Sequence, residues 1–90
     1  MKIKGEFILR EVAGETLLVP VGETALKFNG MITLNRVSAV IWKALSEQAS
    51  YDEILGKILD RFDVEPDAAR RDLDEFLEQM KAADLLDIGE

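Results

Sequence analysis

Two patterns of apolar and polar residues meet near residue 35 of this 90-residue chain. Before it, short runs rich in Ile, Leu, Val, Phe and Thr are separated by Ala13-Gly14-Glu15, Gly22-Glu23 and Asn29-Gly30, the texture of strands joined by turns. After it, apolar residues recur at spacings of three and four, the helical period. The first run predicts a strand from about Phe7 to Val12 and the second a strand from about Thr16 to Val21. A two- or three-residue hairpin around Ala13-Gly14-Glu15 joins them. Pro20 has no N–H for a ladder, so the second strand ends there or turns that position to an edge. A looser stretch over 22–29 leads to the turn dipeptide Asn29-Gly30 and a short third strand, Met31-Ile32-Thr33-Leu34. Strand alternation puts Ile32 and Leu34 on one face and Met31 and Thr33 on the other.

Asn35 is a good N-cap for a first helix whose stripe is Val37, Val40, Ile41, Ala44 and Leu45, broken over Ser46 to Ala49. Ser50 and Glu53 form a capping box opening a second helix with Ile54, Leu55, Ile58, Leu59 and Phe62 inward. Gly56 inside it costs about 1 kcal/mol relative to alanine, for which a close helix crossing is the expected reason. Pro66 at the first helical position opens a third helix with Ala69, Leu73, Phe76, Leu77 and Met80 inward. Leu85, Leu86 and Ile88 form a short apolar tail. Trp42 is expected to cover the margin of the core. Three strands followed by three helices imply a single α+β domain, winged-helix-like, with a three-stranded antiparallel β-sheet ahead of a three-helix bundle. A sheet this small has edges, and an uncovered edge offers N–H and C=O groups to an extended peptide.

Composition then narrows the chemistry. The chain has neither cysteine nor histidine, so thiol nucleophiles, disulfides, imidazole bases and most transition-metal sites are excluded. An enzyme is the least favoured reading, and no cofactor is expected. No apolar run approaches the roughly 20 residues that span a bilayer, which reads as a cytoplasmic chain without a membrane partner. The net charge is −7. It is uneven: residues 1–50 carry six basic and five acidic side chains, residues 51–90 five basic and thirteen acidic. Such a polyanionic half argues against binding nucleic acid, whose affinity comes from neutralised phosphates. The carboxylates Asp60, Asp63, Glu65 and Asp67 lack the glycine and terminal bidentate Glu of a calcium loop.

The order of a hairpin, Leu34-Asn35, Ile41-Trp42 and a loop, Tyr51-Asp52-Glu53-Ile54, Phe62, Asp72 with Phe76-Leu77, and Leu85-Leu86 resembles the PqqD family over about residues 7 to 88. These small proteins, named for pyrroloquinoline quinone biosynthesis, are similar to the precursor-peptide recognition elements of ribosomal peptide natural product (RiPP) biosynthesis. Family members commonly carry glycines where this chain has Glu47-Gln48-Ala49 and Ala83-Asp84. The resemblance implies a non-enzymatic peptide chaperone. It binds the leader segment of a precursor peptide as an antiparallel strand on the third β-strand, in the cleft against the third helix, and delivers it to a modifying enzyme, often a radical SAM enzyme.

Carried onto this chain, the strand is Met31, Ile32, Thr33 and Leu34, and the helix runs from Pro66 to Ala83. Met31 and Thr33 are the expected pocket contacts; the alternative is an internal strand with both edges occupied. Arg70, Arg71 and Asp74 are the candidates for reading charge on the leader, set against a solvated face with pairs Arg71–Glu75 and Arg70–Asp74. Leu77 is a candidate apolar floor, with core packing as the alternative. Asp72 is expected to make a local hydrogen bond or cap. Two rivals share the pattern. A winged-helix DNA-binding regulator needs a basic helix three, whereas Arg70, Arg71 and Lys81 face five carboxylates there. An acidic accessory subunit would dock on a larger enzyme without reading a strand. Homodimerisation through the open edge or the tail is left open by the sequence.

Overall fold

The computed structural model describes residues 1–28 and 30–87. In chain order the elements are β1 (Lys2–Ile3), β2 (Phe7–Val12), β3 (Glu15–Pro20), α1 (Glu23–Lys27), β4 (Ile32–Leu34), α2 (Arg36–Ser46), α3 (Tyr51–Arg61), α4 (Pro66–Ala82) and β5 (Leu86–Asp87). The α+β class, the three-stranded antiparallel sheet and the three long helices agree with the sequence reading. The sheet order is β2-β3-β4, with Leu9 opposite Leu18 and Leu18 opposite Ile32. Its hairpin loop has two residues, Ala13 and Gly14, both with positive φ (53° and 84°). That is the signature of a type I′ turn, whose twist suits paired strands. β3 ends at Pro20, where the missing N–H requires it. Asn29 of the expected turn and Ile88 of the tail lie outside the described residues.

Two features were not anticipated. The stretch after Pro20, read as a loop, contains α1; so short a helix depends on outside contacts, and Thr24 Oγ1 accepts the Glu6 N–H at 2.7 Å. Gly5 (φ 91°) makes that approach feasible, since a Cβ there would lie 2.9 Å from Thr24 Oγ1. The apolar tail is also a strand, because β5 pairs antiparallel with β1, Ile3 opposite Leu86, and so ties the two ends of the chain together.

One core joins sheet and helices. Leu18, Ile41, Leu45, Ile54, Ile58 and Leu73 are fully buried. Trp42 lies inside this core rather than at its margin, only 5% exposed, with the Phe7 ring edge-on at 5.4 Å. Leu59, expected inward, is exposed. The capping assignments agree: Asn35 accepts from the Ser38 N–H at 2.8 Å, and Ser50 and Glu53 complete a reciprocal box.

Gly56 meets nothing within 4 Å of a built Cβ, so no helix crossing explains it. Gly56→Ala is therefore expected to stabilise the fold by about 0.5–1 kcal/mol. The C-terminal ends of α2 and α4 share a second unfavourable choice. Ala49 N–H donates to Ala44 O and Gln48 N–H to Leu45 O; Leu85 N–H donates to Met80 O and Asp84 N–H to Lys81 O. These are two Schellman motifs, and their left-handed residues are Gln48 (φ 60°) and Asp84 (φ 58°), in the two segments where glycine was expected from the resemblance. Gln48→Gly should raise stability by about 1 kcal/mol by removing the Cβ penalty. Urea titrations followed at Trp42, the sole tryptophan, check both substitutions. Unchanged midpoints would contradict the assigned backbone geometry.

Candidate functional site

β4 is a terminal strand of its sheet, and among the described residues no backbone hydrogen bond reaches its outer edge. The described residues of the tail, Leu86 and Asp87, pair with β1 and not with β4. Strand alternation is as expected: Leu34 is buried, Ile32 packs against the core, and Met31 (61% exposed) and Thr33 face outward. The opposite edge, β2, carries Arg10 and Glu11, charges of the kind that discourage strand addition. β4 and the preceding Met31 carry none.

Leu34 runs directly into Asn35, the cap of α2, and there the chain faces α4 across a groove of about 160 Å³. Asn35, Val37, Ser38 and Ile41 form one wall; Asp72, Glu75, Phe76 and Gln79 form the other. Phe76 is 6% exposed and serves both the core and the groove floor. Asp72 makes no hydrogen bond or ion pair among the described residues, so the expected local cap is replaced by a carboxylate on the groove wall. Glu75 is likewise without an ion pair, and the wall is anionic. A larger concavity of about 570 Å³ lies between α1, the Lys4–Glu6 segment and the residues following α4, with Phe28 and Leu85 as its apolar lining.

The sequence-predicted residues of α4 are not all brought to this groove. At about 100° per residue, Arg70, Asp74 and Leu77 lie roughly 140–160° around the helix from Asp72. Arg70 sits 3.7 Å from Asp67, instead of pairing with Asp74. Lys81 approaches Glu78 at 3.7 Å, and the expected Arg71–Glu75 pair does not form. Leu77 is buried. Arg71, exposed, borders the groove side of the helix next to Asp72. Glu75 and Gln79 were missed as groove residues. Their signal was the stripe 72, 75, 79 sharing a helical face with Phe76, which in sequence has the same form as a solvated face.

Asp74 has a different role: its Oδ1 accepts the Tyr51 hydroxyl at 2.7 Å, tying α4 to α3. That hydrogen bond, then slight burial and the carboxylate charge, raise the phenol above its ordinary range. The neutral phenol is the donating form, so the link holds below an ordinary phenol's pKa and is lost as pH rises through the raised one. Tyr51 is the sole tyrosine, so ultraviolet titration of its phenolate reads it directly. Asp74→Asn is expected to lower the midpoint toward that of a free phenol; an unmoved midpoint would refute the contact.

Among the described residues no helix is long and apolar enough to cross a membrane. The site combines an open backbone row on β4 with a groove that has an apolar floor and an anionic wall.

Comparison with known proteins bears on the fold and family. Among solved structures, the chain matches "TbiB1 in Complex with the TbiA(beta) Leader Peptide" at a TM-score of 0.74 and 24% identity, covering 100% of this chain and 99% of that one. A search of curated proteins found no match. Residues 12–86 match the family model described as coenzyme PQQ synthesis protein D (PqqD). Taken with the three-stranded sheet and three long helices read from the sequence, this match establishes that the chain belongs to the PqqD family.

Proposed function

We propose that this protein is a non-catalytic carrier that takes the leader segment of a ribosomally made precursor peptide as an antiparallel strand on β4 and presents it to a modifying enzyme in the cytoplasm. The single observation that carries this reading is the unpaired outer edge of β4, which runs through Leu34 into Asn35 on the wall of the groove between α2 and α4. Membership of the PqqD family and a fold shared with a protein described in complex with a leader peptide support it.

Backbone groups of Ile32, Thr33 and Leu34 supply sequence-tolerant affinity, and alternate guest side chains enter the groove or lie over Met31 and Thr33. Asp72 and Glu75 favour a guest with a basic side chain at that height. Arg71 meets flanking guest residues at the border. Asp74, through Tyr51, and the buried Leu77 contribute by holding α4 in place, and Arg70 takes no part in the site. A radical SAM enzyme is the partner class implied by the family resemblance.

The test is anisotropy of a fluorescein-labelled leader, taken from a short reading frame encoded beside this gene, titrated with the full chain. A saturable rise that weakens with salt is expected. No saturation up to about 0.1 mM protein, an affinity weaker than about −5.5 kcal/mol, would overturn the reading. Presentation is read separately, as faster modification of the precursor by its enzyme when this protein is added.

A further inference from the structure

The two flanks of α2 face different concavities. Asn35, Ser38 and Ile41 wall the groove beside β4. Arg36, Val40 and Lys43, on the other flank, wall a separate cleft of about 330 Å³ with Arg61 and Phe62 at the end of α3 and Leu9 of β2. Its floor is apolar and half-buried: Leu9, Val40 and Phe62. Its rim holds three cations, Arg36, Lys43 and Arg61, against one carboxylate, Glu11. All four are exposed, and none is in an ion pair among the described residues.

This sign runs against a chain of net charge −7. Lys43 and Arg61 stand in the last turns of their helices, where the dipole favours a cation. Arg36 stands in the first turn of α2, where the dipole opposes it and no acidic residue offsets it. Helix stability therefore accounts for Lys43 and Arg61 but not for Arg36, which brings the third cation to the rim. An apolar floor within a cationic rim is complementary to an acidic segment that carries a large apolar side chain.

We infer that this cleft is a second docking surface, separate from the β4 edge, for an acidic, aromatic-bearing segment of a partner protein. Taking that partner to be the modifying enzyme rests on the function proposed above; occupancy of the cleft does not. With α2 as the shared wall, guest and enzyme bind at once on opposite flanks of one helix.

The probe is a blocked octapeptide of six glutamates and two phenylalanines, titrated into ¹⁵N-labelled full-length chain. Amides around Leu9, Val40 and Phe62 are expected to shift while Ile32 to Leu34 stay unmoved, and a lysine-for-glutamate counterpart should leave the cleft silent. The double variant Arg36→Glu/Lys43→Glu should weaken the glutamate peptide by at least about tenfold with its thermal midpoint retained. Equal binding of both peptides, shifts confined to β4, a stronger response of the same amides to short duplex DNA, or a concentration-dependent dimer abolished by the double variant would each overturn the inference. Because cleft and β4 amides are read apart, failure here is distinguishable from failure of leader binding.

Discussion

Replacing Leu18 with alanine is expected to destabilise the protein by about 2–5 kcal/mol, the range for emptying a fully packed leucine site. Leu18 has no exposed surface, lies on the central strand, and is opposite both Leu9 and Ile32. It joins the core at the centre of the sheet, with Leu9 and Ile32 beside it packed against the same cluster. A domain of this size has on the order of 5–10 kcal/mol in all, so the loss is a large fraction of its stability. Leu59→Ala is the internal contrast: that side chain is 37% exposed and its truncation should cost about 1 kcal/mol or less. Urea denaturation followed at Trp42 separates the two. Equal costs would mean that the sheet does not pack on the helices as described.

The second large effect concerns binding. Gln79→Trp puts an indole into the groove of about 160 Å³ from its exposed α4 wall. Leader affinity is expected to fall at least about thirtyfold, roughly 2 kcal/mol, with little change in stability. Arg70→Trp is the matched control on the far side of the helix and should leave affinity within about twofold. The pair discriminates between the groove wall and the charged residues that the sequence alone brings forward. If Arg70→Trp abolishes binding and Gln79→Trp does not, the guest lies on the other side of α4.

Much of the architecture was legible because its determinants are local. The Ala13-Gly14 turn, the Asn35 cap, the Ser50–Glu53 box and Pro66 each act within a few residues, and each stands where the pattern predicts. What the pattern missed depends on partners distant in the chain. α1 is held by a hydrogen bond from the Glu6 backbone N–H to Thr24 Oγ1, and β5 exists by pairing with β1 across nearly the whole sequence.

The site was half legible for the same reason. Alternation along one strand placed Met31 and Thr33 outward correctly. The opposing wall required knowing which flank of α4 meets α2, and polar residues on every flank carry the same local signal. Residues 72, 75 and 79 were therefore indistinguishable from Arg70 and Asp74 until the helices were packed.

The most direct test of the central claim is amide hydrogen exchange at Ile32, Thr33 and Leu34 with and without a saturating leader peptide. Strand addition predicts that the outward-pointing amides among these three slow by at least about tenfold on binding, while those already paired with β3 change little. A leader that binds with full affinity and leaves every one of these exchange rates unaltered would show that the edge of β4 is not where the guest strand lies.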